Sequence, residues 1–531
     1  MRKKYLLGMT LMASLAFSSC TKEVFVVQDG EGVEEIQEDG QVLTLQVSNS
    51  GDGLTTRAGR PLLSSQAKQD ISHIDLFVVN SSNKVVLKKT VKPSEWANAL
   101  DYTTGGHGKQ LQISFKGSEG QKLAAGSYTI YAVAYKESSN YKTEFGVTEP
   151  PTTTNNASGV TFTETSFATT LTANGESADE IFAGKVEVKV VGADSDSYIT
   201  TSAGSTKKDK PTLVLNRQVA GVTGYFTNLP AKVGDQIPTK IRLVASGKSN
   251  MVHFTSMVSG ETDGTTTAAA TNVVNGSASS LTAENLPYWN SSKKGYKVYE
   301  IELSEFFPQM KSSDGPKTFD QLDLDGDGFV GYKDAQHYVY GKVPSSTSDW
   351  DTAYKGNVAS ENMESGYNEG KTKALSEFWK NANQNQTLVA GSVFAGEFII
   401  PFLQVDGTNT FELQLLDEHD NILKTWNVQV PTKVTGGSAG NNIAAGISAT
   451  WADDTDLIYN IYRNHLYSLG LKTNDIEGGV DPDPENPDPD PKPEPDPDLN
   501  PEDKPEDLSK GQDLLINVND NWEIIHNMVI D

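Results

Sequence analysis

Residues 73–91, HIDLFVVNSSNKVVLKKTV, consist of two runs of β-branched and apolar residues joined by a short polar sequence. This pattern predicts a β-hairpin, because β-branched side chains pack well on a pleated sheet and short polar sequences favour turns. Only residues 374–383 and a short piece near Ala335 have a helical pattern. Similar strand-like runs, separated by Ser/Thr/Gly/Asn-rich connections, lie at residues 127–135, 185–191, 212–222, 240–246, 296–303, 393–402, 411–417 and 457–471. The sequence therefore predicts an all-β protein of the sandwich class.

An earlier run, residues 41–49 (QVLTLQVSN), alternates between apolar and polar side chains. Leu43, Leu45 and Val47 share one face, which is typical of a half-buried strand. We therefore predict a strand here, ahead of the hairpin and separated from it by a loop.

The loop after this strand is rich in Gly, Thr and Arg. Arg57 precedes Ala58 among small residues, which leaves the chain open to proteolysis. Arg60 precedes a proline, which hinders cleavage by trypsin-like proteases. The loop is therefore either an exposed basic turn or a processing site at the Arg57–Ala58 bond.

The N-terminus has the pattern of an export signal. Basic residues at positions 2–4 precede an apolar run at 5–17, which is too short to span a bilayer as a helix. Small residues then lead to Cys20, the only cysteine of the chain. This arrangement predicts a bacterial lipobox, with Cys20 as the lipidated first residue of an outer-membrane lipoprotein. The alternative is an ordinary signal peptide whose cysteine is incidental.

The composition excludes several functional classes. Among 531 residues, 70 acidic and 44 basic side chains give a net charge of −26, which disfavours nucleic-acid binding. A single cysteine excludes a disulfide framework, a thiolate zinc site and an iron–sulfur cluster. Residues 436–440 match GxSxG, but they lie in a glycine-rich loop without the strand–turn–helix context of a nucleophile. We therefore expect no enzymatic activity.

Residues 323–334, DLDGDGFVGYKD, match the spacing of an EF-hand calcium loop. Aspartates occupy positions one, three, five and twelve, and Gly328 occupies position six, where the chain must turn sharply. The predicted ligands are Asp323, Asp325, Asp327, Phe329 (through its carbonyl oxygen) and Asp334. We expect one calcium ion in a structural role; the alternative is a solvated acidic loop.

The C-terminal part of the chain changes character abruptly. Residues 481–507 contain ten prolines, twelve acidic residues and two lysines, which predicts a stiff, extended arm. A short apolar segment follows it and ends the chain. Its side chains on one face are Trp522, Ile524, His526, Met528 and Ile530. This segment is either a strand that pairs with another molecule or one that folds back onto its own domain.

Together these features resemble the fimbrillin family of Bacteroidales type V pili, and within it a structural subunit of a minor fimbrium. The resemblance covers most of the chain, although each motif is short. The motifs that carry it are SSC at Cys20, RAG at Arg57, HIDLFVVN near Ile74, GSYTIYAVAY at Gly126, VLNRQVAGV around Arg217 and IYRNHLYSLGL around Arg463. The Asp/Pro-rich arm and the calcium loop are not part of that family pattern.

The resemblance implies two tandem transthyretin-like β-sandwich domains and assembly by strand exchange. An outer-membrane lipoprotein precursor would be cut by an Arg-specific protease between Arg57 and Ala58, removing the strand at 41–49. A donor strand from a neighbouring subunit would then fill the groove, through Trp522, Ile524, Met528 and Ile530. The implied divisions are a signal peptide (1–19), a lipidated propeptide with the removable strand (20–57), an N-terminal sandwich (58–247), a C-terminal sandwich with the calcium loop (248–475), an Asp/Pro-rich linker (476–507) and a donor-strand segment (508–531).

The leading hypothesis is therefore a structural pilin that supports adhesion in an extracellular fimbrium. Its expected partners are copies of itself, related pilins, an Arg-specific protease and host or bacterial surface ligands, but no nucleic acid. One alternative is a fimbrial tip or anchor subunit. Another is a glycan-binding outer-membrane lipoprotein, which would stay monomeric after trimming at Arg57.

Overall fold

A computed structural model defines the fold over most of the predicted strands. The described residues are 40–48, 71–102, 108–115, 121–147, 160–172, 178–193, 196–207, 209–245, 248–254, 275–277, 288–290, 293–294, 296–341, 374–382, 388–402, 411–429, 461, 463, 466–470, 505–510, 514–515 and 517–519. They form strands in several sheets with few short helices, so the all-β prediction is confirmed.

The strands of the N-terminal half are β1 (Val42–Ser48), β2 (His73–Asn80), β3 (Lys84–Val91), β4 (Leu100–Tyr102), β5 (Gly108–Ser114), β6 (Gly126–Tyr135), β7 (Val160–Thr161), β8 (Ala168–Thr170), β9 (Ile181–Val191), β10 (Tyr198–Thr201) and β11 (Thr212–Arg217). The remaining strands are β12 (Ala220–Thr227), β13 (Leu229–Pro230), β14 (Lys240–Ala245), β15 (Met251–His253), β16 (Gly276–Ser277), β17 (Tyr288–Asn290), β18 (Lys293–Lys294), β19 (Tyr296–Glu302), β20 (Phe329–Val330), β21 (Val393–Ile399), β22 (Phe411–Leu416), β23 (Ile422–Gln429), β24 (Leu466–Leu469), β25 (Glu506–Asp507), β26 (Leu514–Leu515) and β27 (Asn517–Asn519). The helices are α1 (Pro93–Trp96), α2 (Leu303–Phe306), α3 (Tyr332–Tyr340) and α4 (Leu375–Phe378), with 3-10 turns at Glu164–Ser166, Pro308–Lys311 and Phe319–Leu322.

The first sandwich consists of two sheet segments that share β11. One segment has the order β4-β5-β1-β11, and the other has the order β9-β6-β2-β3-β7 with β10 beside β9. β11 pairs with β1 along residues 212–215 and then with β9 at Asn216 and Arg217, so it turns the corner between them. The predicted hairpin is β2–β3, and Asn83 adopts the left-handed conformation (φ 56°) at its turn.

β2 is buried on both faces. Ile74, Leu76 and Val78 belong to the core between the two segments, together with inward side chains of β1, β5 and β11. Phe77 and Val79 point the other way, into an outer aromatic cluster. The small sheet β16-β15-β8 contributes to that outer cluster, so residues beyond 247 still pack on the first sandwich.

The second sandwich is built from the orders β19-β14-β22-β23-β26 and β21-β12-β24-β27, with β25 beside β12. Its core contains inward residues of both sheets, such as Tyr225, Leu243 and Trp426, and side chains of α2, α3 and α4. The smallest sheets, β13-β20 and β17-β18, have two strands each.

The run at 212–222, predicted as one strand, divides into β11 and β12 on different sheets. The break falls at Gln218, whose side-chain amide donates to the carbonyl oxygens of Asn216 (2.8 Å) and Ala183 (3.3 Å). The change of sandwich thus begins well before residue 247, where the sequence placed the domain boundary. The apolar run continues through the break, so its periodicity gives no signal of the change.

The C-terminus also departs from its predicted divisions. Glu506 and Asp507, assigned to the linker, form β25 beside β12. Leu508 and Leu514 are fully buried in the second core. Leu514–Leu515 (β26) and Asn517–Asn519 (β27), which belong to the predicted donor segment, therefore pair with strands of their own chain.

A buried ion pair stabilises the corner between the sandwiches. Arg217 is 1% exposed, and its guanidinium donates two hydrogen bonds to Oε1 of Glu180, at 2.8 and 2.6 Å. The Arg463 guanidinium donates to Oε1 of Gln218 at 2.9 Å in the same region. Two sequence motifs that carry the family resemblance therefore meet at this corner.

We expect Glu180→Ala to lower the free energy of unfolding by roughly 3–5 kcal/mol, because it leaves the buried Arg217 without its carboxylate partner. The matched control is Glu164→Ala, whose carboxylate pairs with Lys185 at the surface and should change stability by less than about 1 kcal/mol. Urea unfolding followed by tryptophan fluorescence measures both. Equal losses of unfolding free energy in the two variants would contradict the role given to the buried Arg217–Glu180 pair.

Candidate functional site

The strand predicted at residues 41–49 is β1, and it lies inside a sheet. It pairs antiparallel with β5 from Val42 to Ser48 and parallel with β11 from Thr44 to Val47. Both neighbours therefore use backbone groups of β1. A strand in such a place cannot be lost without leaving two sheet edges unpaired.

The inward face of β1 forms part of the first core. Leu43, Leu45 and Val47 are each 0% exposed, as their alternation predicted. Burial of three such side chains stabilises the fold by roughly 5–9 kcal/mol in total. Without β1, the core would be open to water along a groove between β5 and β11.

Gln41 fixes the start of β1, a role that the sequence analysis did not identify. Its amide nitrogen donates to the carbonyl oxygen of Leu123 (2.7 Å) and to Oγ of Ser197 (3.1 Å). Its amide oxygen accepts from the Leu123 backbone N–H at 2.7 Å. The sequence did contain a signal for this role. Gln41 lies two residues before Leu43 in the alternating pattern, which places its polar side chain on the inward face of the strand.

The outward face of β1 carries a second amide contact. Nε2 of Gln46 donates to Oε1 of Gln110, its register partner on β5, at 3.2 Å. This contact is only partly buried. The groove is thus defined by the buried hydrogen bonds of the Gln41 amide, by three apolar sites and by the outward Gln46–Gln110 pair.

We expect Gln41→Ala to lower the free energy of unfolding of the uncut chain by about 2–4 kcal/mol, because two buried polar groups of Leu123 lose their partner. Gln46→Ala is the control and should cost at most about 1 kcal/mol, since water can replace its partly buried contact. Chemical unfolding measures the free energy of unfolding of the two variants. A Gln41→Ala variant as stable as the unmodified chain would contradict the role of Gln41 in fixing the start of β1.

Several predicted site residues lie outside the described residues. They are Cys20, Arg57, Ala58, Trp522, Ile524, Met528 and Ile530. Lipidation, cleavage and the donor residues therefore stay predictions. No helix among the described residues is both long and apolar enough to cross a membrane.

The predicted calcium loop brings three of its carboxylates together. Oxygens of Asp323, Asp325 and Asp327 lie within 4.8 Å of one another. Gly326 (φ +78°) and Gly328 (φ +89°) adopt left-handed conformations that let the loop turn around these oxygens. The Lys333 ammonium lies 3.3 Å from Oδ2 of Asp327, and its hydrogen bond to Asp327, together with the charges of Asp327 and Asp325, raises the pKa of Lys333.

Asp334 lies beneath the loop instead of within this cluster. Its Oδ1 accepts from the backbone N–H groups of Leu324 (2.6 Å) and Asp325 (3.3 Å), and its Oδ2 accepts from that of Gly331 (2.8 Å). Burial raises its pKa to about 6, although these hydrogen bonds act in the opposite direction. Asp334 thus supports the loop and the start of α3, and its predicted role as a ligand stays a prediction.

The loop is attached to the second sandwich through Phe329, the fifth predicted ligand. Phe329 and Val330 form β20, which pairs with Pro230 and Leu229 of β13. The Ala231 N–H also donates to the carbonyl oxygen of Gly328 at 3.0 Å. An ion in the loop would therefore stabilise this side of the second sandwich directly.

If the loop binds calcium, millimolar Ca²⁺ should raise the thermal midpoint of unfolding. At a calcium concentration of a hundred times the dissociation constant, the added stability is about 2.7 kcal/mol. Asp325→Asn should abolish that increase, because it removes one negative charge from the cluster. The control is Asp314→Asn, an exposed residue outside the loop. If calcium does not raise the thermal midpoint of the unmodified chain, the calcium prediction is wrong and the loop is a solvated acidic loop.

Comparison with known proteins gives distant structural likenesses. No protein-family model and no curated protein matches the chain. A fimbrial assembly protein from Parabacteroides distasonis is 14% identical, with 49% of this chain and 85% of that chain covered and a TM-score of 0.25. The tip fimbrial protein Mfa3 from Porphyromonas gingivalis is 9% identical, with 80% and 93% covered and a TM-score of 0.25. These proteins are of the kind that the sequence motifs resemble.

Proposed function

We propose that this chain is a structural pilin that polymerises by strand exchange after β1 is removed. The observation that carries the proposal is the position of β1. It is paired on both sides and fully buried on one face, yet a candidate cleavage site separates it from every later strand. Cleavage there would turn a stable precursor into a subunit with a groove of defined shape.

The distribution of arginines favours a single productive cut. The chain contains six arginines: Arg2, Arg57, Arg60, Arg217, Arg242 and Arg463. Arg217 and Arg463 are each 1% exposed, and Arg242 lies in β14, paired with Glu300 at 2.6 Å. Arg60 precedes proline, and Arg2 belongs to the predicted signal peptide. An Arg-specific protease acting on the folded chain would therefore cut at Arg57–Ala58.

The precursor would stay monomeric because β1 occupies the groove. Lipidation at Cys20 would hold it at the outer membrane until cleavage separates the lipid, together with β1, from the rest of the chain. The subunit would then be released into an extracellular fimbrium whose copies, and related pilins, pair along their open edges. In this scheme the protein supports adhesion without catalysis, and any calcium ion in the acidic loop has a structural role.

We expect a soluble precursor that starts at Thr21 to be monomeric and to form a ladder of oligomers after treatment with an Arg-specific protease. Arg57→Gln should remain uncut and monomeric under the same treatment. Light scattering and native gels measure the sizes, and mass spectrometry identifies the new N-terminus. A protein that is cut at Arg57 and loses β1 but stays monomeric would contradict the pilin proposal and favour a glycan-binding lipoprotein.

A further inference from the structure

Asp75 is a buried carboxylate on the outward face of β2, away from the groove that β1 fills. Its side chain is 2% exposed. Its register partner on β3 is Thr90. The Lys88 ammonium, two residues before Thr90 on the same strand, lies 3.2 Å from Oδ2 of Asp75. A lysine and an aspartate of two adjacent strands therefore meet at a place where the carboxylate is shielded from water.

Hydroxyl groups hold both oxygens of this carboxylate. Oγ1 of Thr90 donates to Oδ1 at 2.5 Å, and the Tyr135 hydroxyl donates to Oδ2 at 3.4 Å. Burial, followed by the neighbouring Asp75 carboxylate, raises the pKa of Tyr135, so its hydroxyl stays protonated. Nε2 of His73 also lies 3.6 Å from Oδ1. The carboxylate thus has a fixed orientation relative to Lys88.

The lysine side chain lies against an aromatic surface. Nζ of Lys88 is 5.5 Å from the ring centroid of Phe77, its register partner on β2. Phe77 is 1% exposed and contacts Phe145 and Phe167 edge to face, at centroid distances of 6.4 and 6.1 Å. Aromatic rings thus replace water on this side of the ion pair, and charged groups are less stable there than in water. A reaction that removes both charges is favoured by these surroundings.

We propose that Lys88 and Asp75 condense to a side-chain amide (isopeptide) bond that covalently joins β2 to β3. Nζ of Lys88 would attack Cγ of Asp75, and the bond between Cγ and Oδ2 would break. Of the three ammonium protons, one stays on the amide nitrogen and two leave with Oδ2 as water. One positive and one negative charge disappear together, so the reaction needs no cofactor and no further reactant.

The groups around the carboxylate suit this reaction. Oδ1 would carry the negative charge of the tetrahedral intermediate, and the Thr90 hydroxyl is a preorganised donor to that oxygen. Oδ2 would leave, and the Tyr135 hydroxyl beside it can relay a proton to it. Well-oriented groups react as if at about 10⁵–10⁸ M, which offsets the tendency of amides to hydrolyse in water.

A second lysine–carboxylate pair on the same sheet face lacks these surroundings. Nζ of Lys185 lies 2.6 Å from Oε1 of Glu164, closer than Lys88 lies to Asp75. The two side chains are 34% and 46% exposed, however, so water stabilises both charges. This pair should remain an ion pair, and it is the internal control.

The bond would supply a covalent link that the cysteine content excludes. With one cysteine, the chain cannot form an internal disulfide. An amide between β2 and β3 would close their hairpin and restrict the unfolded chain, as a disulfide does. The inference is independent of the removal of β1, because β2 and β3 stay in the chain whether or not it is cut.

Mass spectrometry of the folded precursor that starts at Thr21 tests the bond. We expect an intact mass lower than the sequence mass by one water molecule, and a branched tryptic peptide in which Lys88 is linked to Asp75. Lys88→Arg keeps the positive charge without the nucleophilic amine, so it should have the full sequence mass. Thr90→Val should lower the fraction linked soon after cell-free synthesis at least about tenfold, because Oδ1 loses its donor. Lys185 and Glu164 should be recovered unlinked.

Two results would overturn the inference. A folded precursor of full sequence mass would show that Lys88 and Asp75 form an ordinary ion pair only. A loss of water that persists in Lys88→Arg would come from another reaction, such as cyclisation at an Asp–Gly sequence. Thermal melting shows whether each variant folds, and the peptide map of the unmodified chain decides the question even where a variant does not.

Discussion

The structure depends on one constraint: an interior strand of a sandwich must be present or be replaced. β1 supplies backbone partners to both β5 and β11 and three fully buried side chains to the core. Because unpaired edges and an open core are both unfavourable in water, the groove between β5 and β11 must be filled. β1 fills it in the structure, and in our proposal a strand of a neighbouring subunit fills it after cleavage.

One wall of this groove is connected directly to the second sandwich. β11, one wall of the groove, continues directly into the corner where Arg217 pairs with Glu180 and Gln218 bonds to its neighbours. β12 follows immediately and begins the second sandwich, whose sheets also hold the C-terminal strands. The wall of the groove is therefore joined to a corner that contains a buried ion pair, and the second sandwich contains the described C-terminal strands.

Much of this fold could be predicted from the sequence, because strand periodicity is a local property. The boundaries of β2 and β3 follow from their apolar and β-branched runs and the polar turn between them, and the inward face of β1 follows from its alternation. The break at Gln218 could not be predicted, since it depends on a buried polar network between residues far apart in sequence. Likewise, the aspartates of the calcium loop converge as their spacing predicts, but the position of Asp334 depends on the backbone of the folded loop. The buried hydrogen bonds of Gln41 required Leu123 and Ser197 to be placed beside it.

The most direct test of this account is a reversible lock on β1. Gln46→Cys and Gln110→Cys on register partners should form a disulfide that keeps β1 in the groove even after cleavage at Arg57. We expect the cut, oxidised double variant to remain monomeric by light scattering and to form ladders when a reductant is added. Ladders that form equally fast with the disulfide intact would show that assembly does not use this groove.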